Sequence, residues 1–249
     1  MLIETHFQQF CINWSIIANK IKTDHKLILM NKRIIVPGLL NILFLMTIHI
    51  MAASACSKEK LTFIPLKNDS LITILFVGNS LTYVNDLPGL VSDKGKIYGI
   101  NIKTEMLALP NYAISDHWDD GKVQQLISYN KYDFVVIQQG PSSQAEGREI
   151  LLEYGPKYND LCKQSGSRLA YFMVWPALAN YENFNGVINN YTDAANSTNS
   201  ILCPVGKIWK EYCDKTNDYS YYGPDQFHPS LKGSEITAEQ IQDNIGISK

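Results

Sequence analysis

The 249-residue chain has no Cys-x-x-Cys pair, no surplus of either charge and no internal repeat. Five cysteines, at 11, 56, 162, 203 and 213, are too scattered for a zinc ribbon or a thioredoxin-type redox site. Lys and Arg number 22 against 24 Asp and Glu, a net charge of −2. Proteins that grip phosphate backbones carry a basic surplus or stripe, so nucleic acid is not the expected partner. Fifteen glycines and ten prolines are too few for a collagen-like or Pro-rich chain. What remains is 45% hydrophobic, enough for a sizeable core.

The first sixty residues read as an address. Residues 34–55 (IIVPGLLNILFLMTIHIMAASA) contain no Asp, Glu, Lys or Arg, and Lys32 and Arg33 stand just before them. A basic segment, an apolar run and a small-residue exit are the parts of a secretory signal. The exit Ala53-Ser54-Ala55-Cys56 resembles a bacterial lipoprotein signal, in which the cysteine becomes the lipidated first residue, although Ala53 stands where that pattern prefers Leu. The resemblance implies a signal over 30–55 starting at Met30, an upstream over-extension over 1–29, and a tether over 56–70. It also implies export, with membrane attachment through lipid on Cys56. The run is also long enough to stand as an uncleaved membrane helix. Only Cys162, Cys203 and Cys213 then remain in the mature domain, and their spacing predicts buried apolar thiols rather than a disulfide framework.

From Leu71 onward β-rich and helical patterns alternate. Apolar runs at 71–77, 100–108, 133–137, 168–175 and 201–205 predict strands. The stretches following Asn85-Asp86, then 116–129, 144–165, 184–196, 209–214 and 229–245 predict helices. Continuous apolar strands separated by helices argue for a parallel sheet covered on both faces. The expected fold is a three-layer α/β/α sandwich with a five-stranded, flavodoxin-like sheet over residues 71–249, with ligands outside the carboxyl ends of the strands.

One serine stands at such an end. Gly78-Asn79-Ser80-Leu81-Thr82 follows the first strand, and Asp225-Gln226-Phe227-His228-Pro229-Ser230 precedes the last helix. A serine hydroxyl needs a base to act as a nucleophile, and a His oriented by a carboxylate is the usual one. The three-residue spacing lets one turn present both Asp225 and His228, the imidazole accepting a proton and returning it. Each block alone is weak; together, at opposite ends of the domain, they are far more specific.

These two blocks resemble those of the SGNH, or GDSL-type, hydrolase superfamily, over roughly residues 71–245. The resemblance implies an esterase with Ser80 as nucleophile and Asp225 and His228 completing its triad, without metal or organic cofactor. Asn79 replaces the Asp of the commonest first-block spelling. Two further blocks supply the oxyanion hole in that family, and here both depart from its pattern. Ser115-Asp116 stands where a glycine is expected, and Ser142 occupies the Asn position when the third block is aligned on Gly140. Gln139, Gln144 or a backbone group could replace that amide. Losing one oxyanion donor costs about 10²–10³ in rate, so the departure matters without forbidding catalysis.

Other residues carry weaker readings. His117 beside Asp116, Asp119 and Asp120 is read as a solvated helix start rather than a metal site. Asn79, Trp175 and Tyr222 are candidate substrate contacts, the aromatics through stacking on sugar rings. With the surface-lipoprotein reading they favour a carbohydrate O-acetyl ester as substrate. A carbohydrate- or surface-binding lipoprotein that keeps the fold without catalysis, and a lipase or thioesterase, are the alternatives.

Overall fold

A computed structural model describes residues 71–140 and 143–247. The signal, the tether, Cys56 and Ser142 lie outside the described residues. The domain opens with β1 (Ile72–Gly78), α1 (Ser80–Tyr83), a 3-10 turn (Val84–Asp86), α2 (Leu87–Ile97) and β2 (Ile102–Ala108). It continues with α3 (Ile114–Asp119), α4 (Lys122–Tyr129), β3 (Phe134–Ile137), α5 (Ala145–Ser165) and β4 (Arg168–Phe172). A second 3-10 turn (Leu178–Asn183), α6 (Phe184–Thr198), β5 (Ile201–Cys203), α7 (Val205–Thr216) and α8 (Leu231–Ile245) complete it.

The strands form one parallel sheet in the order β2-β1-β3-β4-β5. This is the doubly wound flavodoxin-type order, so the α/β expectation holds. β1 and β3 are covered on both faces, which is why they read as unbroken apolar runs: Ile74, Leu75, Phe76, Val77, Val135 and Ile137 are all fully buried. On one face α2 packs against α8; on the other α5 lies between α4 and α6. The register pairs Val77 with Ile137 and Ile137 with Tyr171, bringing the tips of β1, β3 and β4 to one edge.

Among the boundaries that differ from the sequence reading, three matter most. The helix expected over 116–129 is two helices, because Gly121 takes a left-handed conformation (φ +74°) between them. β4 ends at Phe172 rather than Trp175; the chain leaves the ladder after the Met173 N–H reaches the Cys203 carbonyl at 3.0 Å. α7 starts at Val205, four residues before the expected Trp209. Cys162, Cys203 and Cys213 are free and buried, and burial pushes their thiols up to about 12, 12 and 11 respectively.

Candidate active site

Ser80 is the first residue of α1, directly after the β1 tip, and is half-buried. Its surroundings explain why the chain turns there. The Asn79 carboxamide accepts the Leu81 N–H at 3.1 Å, an N-cap, and its Nδ2 donates to the Tyr112 carbonyl at 3.0 Å. Asn79 is thereby buried, its carboxamide bonded to hold two loops together. The Gly78 carbonyl accepts from Leu109 N at 3.2 Å and from His117 Nε2 at 2.7 Å. His117 is therefore not part of a solvated face. It is buried under the Ser80 turn, and burial holds its pKa below the usual imidazole value.

Asp225 and His228 share one loop. Asp225 Oδ2 accepts from His228 Nδ1 at 2.6 Å, and Oδ1 accepts from the backbone N–H groups of Phe227 (3.1 Å) and His228 (2.9 Å). The His228 bond, then the Phe227 N–H, hold the Asp225 carboxyl below the usual carboxylate range. The carboxylate thus fixes the ring orientation and leaves Nε2 pointing away from it. Ser80 Oγ and His228 Nε2 are not hydrogen-bonded to each other.

Both sides of this loop are anchored. On the β4 side, Trp175 Nε1 donates to the Phe227 carbonyl at 3.0 Å, Leu178 N to the Gln226 carbonyl at 2.8 Å, and Tyr222 Oη to the Pro176 carbonyl at 3.0 Å. On the Ser80 side, Asn85 Nδ2 donates to the Pro229 carbonyl and to Ser234 Oγ, both at 3.0 Å. Asn85 does so from a left-handed conformation (φ 57°), one that Asn tolerates better than most side chains. The 3-10 turn that follows the serine's helix is therefore bonded to the residue that follows the histidine.

Trp175 and Tyr222 require a correction. Trp175 is wholly buried, stacked on Trp209 with ring centroids 3.5 Å apart, and Tyr222 is buried with its ring edge-on to Trp209. They support the Asp225–His228 loop from beneath and present no platform to a sugar.

The expected oxyanion residues divide. Ser115, half-buried, lies in the first turn of α3, where the early N–H groups lack intrahelical acceptors. The preceding N–H, of Ile114, is taken by Gln139 Oε1 at 2.9 Å. Asp116 turns its carboxylate back onto the Ala113 N–H at 2.8 Å and so serves the helix start. Gln139 is buried, its Oε1 committed to that loop and its backbone N–H bonded to Tyr191 Oη at 3.0 Å. Gln144 is exposed at the N-cap position of α5 and makes no capping bond. Asn85 and Gln138, which hold the site together, carry no signal in one sequence beyond being polar residues next to turns.

No protein-family model matches the chain, and no curated protein matches it. Solved structures do. A protein of Slackia heliotrinireducens assigned to the SGNH hydrolases superposes with a TM-score of 0.61 at 19% identity, covering 71% of this chain and 100% of that one. A lipase/acylhydrolase from Enterococcus faecalis gives 0.57 at 16% identity, covering 70% and 95%. A variant of an acetyl xylan esterase from Geobacillus stearothermophilus gives 0.51 at 18% identity, covering 72% and 96%. In its five-stranded parallel sheet and flanking helices, the domain has the fold of the SGNH hydrolases.

Proposed function

We propose that the protein is a serine esterase in which Ser80 attacks an ester carbonyl, His228 Nε2 takes its proton, and Asp225 steadies the imidazolium that forms. The alcohol leaves with the proton from His228. Water, deprotonated by the same ring, then releases the acid from the acyl-serine. The observation that carries the reading is the 2.6 Å Asp225–His228 pair on a loop that Asn85 bonds to the turn just after the serine's helix. Nucleophile–base hydrogen bonds are commonly long until substrate is bound, which fits the open Ser80–His228 geometry. The backbone N–H groups of Ser80 and Ser115 are the proposed oxyanion donors.

O-acetyl groups on carbohydrate are the proposed substrate. Two neighbours described as acetyl xylan esterases share the fold, which supports that choice at the level of the fold. Export as a lipoprotein anchored through Cys56 is part of the same proposal and places the enzyme where polymeric carbohydrate is found.

The test is hydrolysis of p-nitrophenyl acetate and release of acetate from acetylated xylan by wild type and Ser80→Ala. Wild-type turnover that falls at least about a thousandfold in the variant is expected. Equal turnover by both proteins would remove the triad. Xylan binding without turnover by either would favour a non-catalytic binding protein, and preference for long-chain esters a lipase or thioesterase. Mass spectrometry of the membrane fraction should find lipidated Cys56 as the N-terminus, and an intact residue 1–55 segment would exclude lipoprotein processing.

A further inference from the structure

Gln138, the residue after β3, was passed over in the sequence in favour of Gln139. Its side chain is wholly buried, and Oε1 accepts from two groups that flank the serine: Asn79 N–H at 2.9 Å and Thr82 Oγ1 at 3.0 Å. Both bonds run from β3 across to the β1 tip, bracketing Ser80 on its two sides. Gly78 is fitted to this arrangement, since a Cβ there would stand 2.5 Å from Gln138 Oε1 and 2.4 Å from Thr82 Oγ1.

The other end of the amide is the unusual part. Gln138 Nε2 is buried with no hydrogen-bond partner among the described residues. A buried, unpaired N–H₂ group opposes folding, so stability alone would not favour an amide here. A methionine or leucine would fill the space without it, and a glutamate would accept the same two bonds. Glutamate would, however, set a negative charge within two bonds of the residue that must stabilise a developing oxyanion. In a buried setting such a charge is poorly screened.

We infer that Gln138 is a positioning residue for the nucleophile: its uncharged carbonyl oxygen holds the Asn79 N–H and the Thr82 hydroxyl so that Ser80 stays aimed out of the β1 tip. The inference rests on the esterase reading of Ser80. It makes neutrality, as well as hydrogen bonding, the property required at this position.

The test uses Gln138→Leu and Gln138→Glu in the full domain with p-nitrophenyl acetate, alongside wild type. Gln138→Leu, which removes both bonds, should lower kcat roughly tenfold to a hundredfold and leave KM within about twofold, because the turn loses aim rather than substrate affinity. Gln138→Glu keeps the acceptor. Its kcat divided by the wild-type value at the same pH should fall as pH rises from about 5.5 to 9, through an ionisation wild type lacks. Asp225, His228 and the nearby His117 are present in both proteins, so each pH is compared as a ratio to wild type. If Gln138→Leu fails to fold, Gln138→Met, which also removes both bonds, takes its place. A Leu or Met variant with wild-type kcat would overturn the positioning role, and a flat Glu ratio would overturn the requirement for neutrality, either result leaving the esterase intact. A wild type inert toward the ester would instead overturn the esterase reading, and this inference with it.

Discussion

Asn85 Nδ2 lies 3.0 Å from the Pro229 carbonyl, so the segment that follows the serine is bonded to the residue that follows the histidine across 144 positions of sequence. A second bond from the same nitrogen, to Ser234 Oγ in α8, extends the join into the final helix. The Asn85 carboxamide thereby adds a polar tie near the candidate site to the packing of α2 against α8.

Asn85→Gly keeps the left-handed backbone and deletes both bonds. Each is a partly exposed neutral hydrogen bond, so the loss should be about 1–2 kcal/mol in urea unfolding. The proposed esterase rate should fall about tenfold, because the histidine loop loses its tie to the serine turn. An unchanged rate beside the lost stability would mean that the β4 contacts suffice to hold the loop.

Gly78→Ala tests the tightness of the nucleophile turn. The new methyl must displace Thr82 Oγ1 or Gln138 Oε1, neither of which can move without breaking their mutual bond. A loss of about 1–3 kcal/mol is expected from such overpacking. A melting temperature equal to wild type would show that the turn has slack.

Trp175→Phe removes the indole N–H that holds the Phe227 carbonyl while keeping a ring against Trp209. It should reduce kcat more than it reduces stability, since the carbonyl it frees belongs to the residue before His228. Trp209→Phe is the comparison, since the buried Trp209 Nε1 has no hydrogen-bond partner among the described residues. Parallel effects in both variants would mean that only the aromatic packing matters.

Stability should depend on acid through His117. Its pKa is lowered in the folded state, so below the ordinary value of about 6.5 the unfolded chain binds a proton that the folded chain refuses. Unfolding free energy should therefore be full above pH 6.5 and decline as pH falls beneath it. Asp225, lowered by His228, acts in a second and more acidic window, its contribution lost as pH drops below about 4. His117→Gln, which retains a donor for the Gly78 carbonyl, should flatten the first decline and leave the second. A His117→Gln curve superimposable on wild type between pH 5 and 7 would assign that slope to another group.

β1, β3 and the β1-tip serine were legible because their chemistry is local: unbroken apolar runs end abruptly at Gly-Asn-Ser and Gln-Gln-Gly. The Asp225–His228 pairing was legible for the same reason, three residues being one turn. Trp175 and Tyr222 misled because an aromatic after a strand looks alike whether it faces solvent or the core; only the Trp175–Trp209 stack, made by residues far apart in sequence, decides. Asp116 misled for a different reason, since its carboxylate caps its own helix. Gln138 and Asn85 escaped notice because their importance lies wholly in partners 56 to 149 residues away.

The concealed thiols bear on how the molecule must be made. Cys162, Cys203 and Cys213 are an odd set with no disulfide among the described residues, each walled off from oxidants and held in its protonated form. Under the export proposed above, only the chain not yet folded would be open to mismatched cross-links, and collapse of the sheet would have to outpace them.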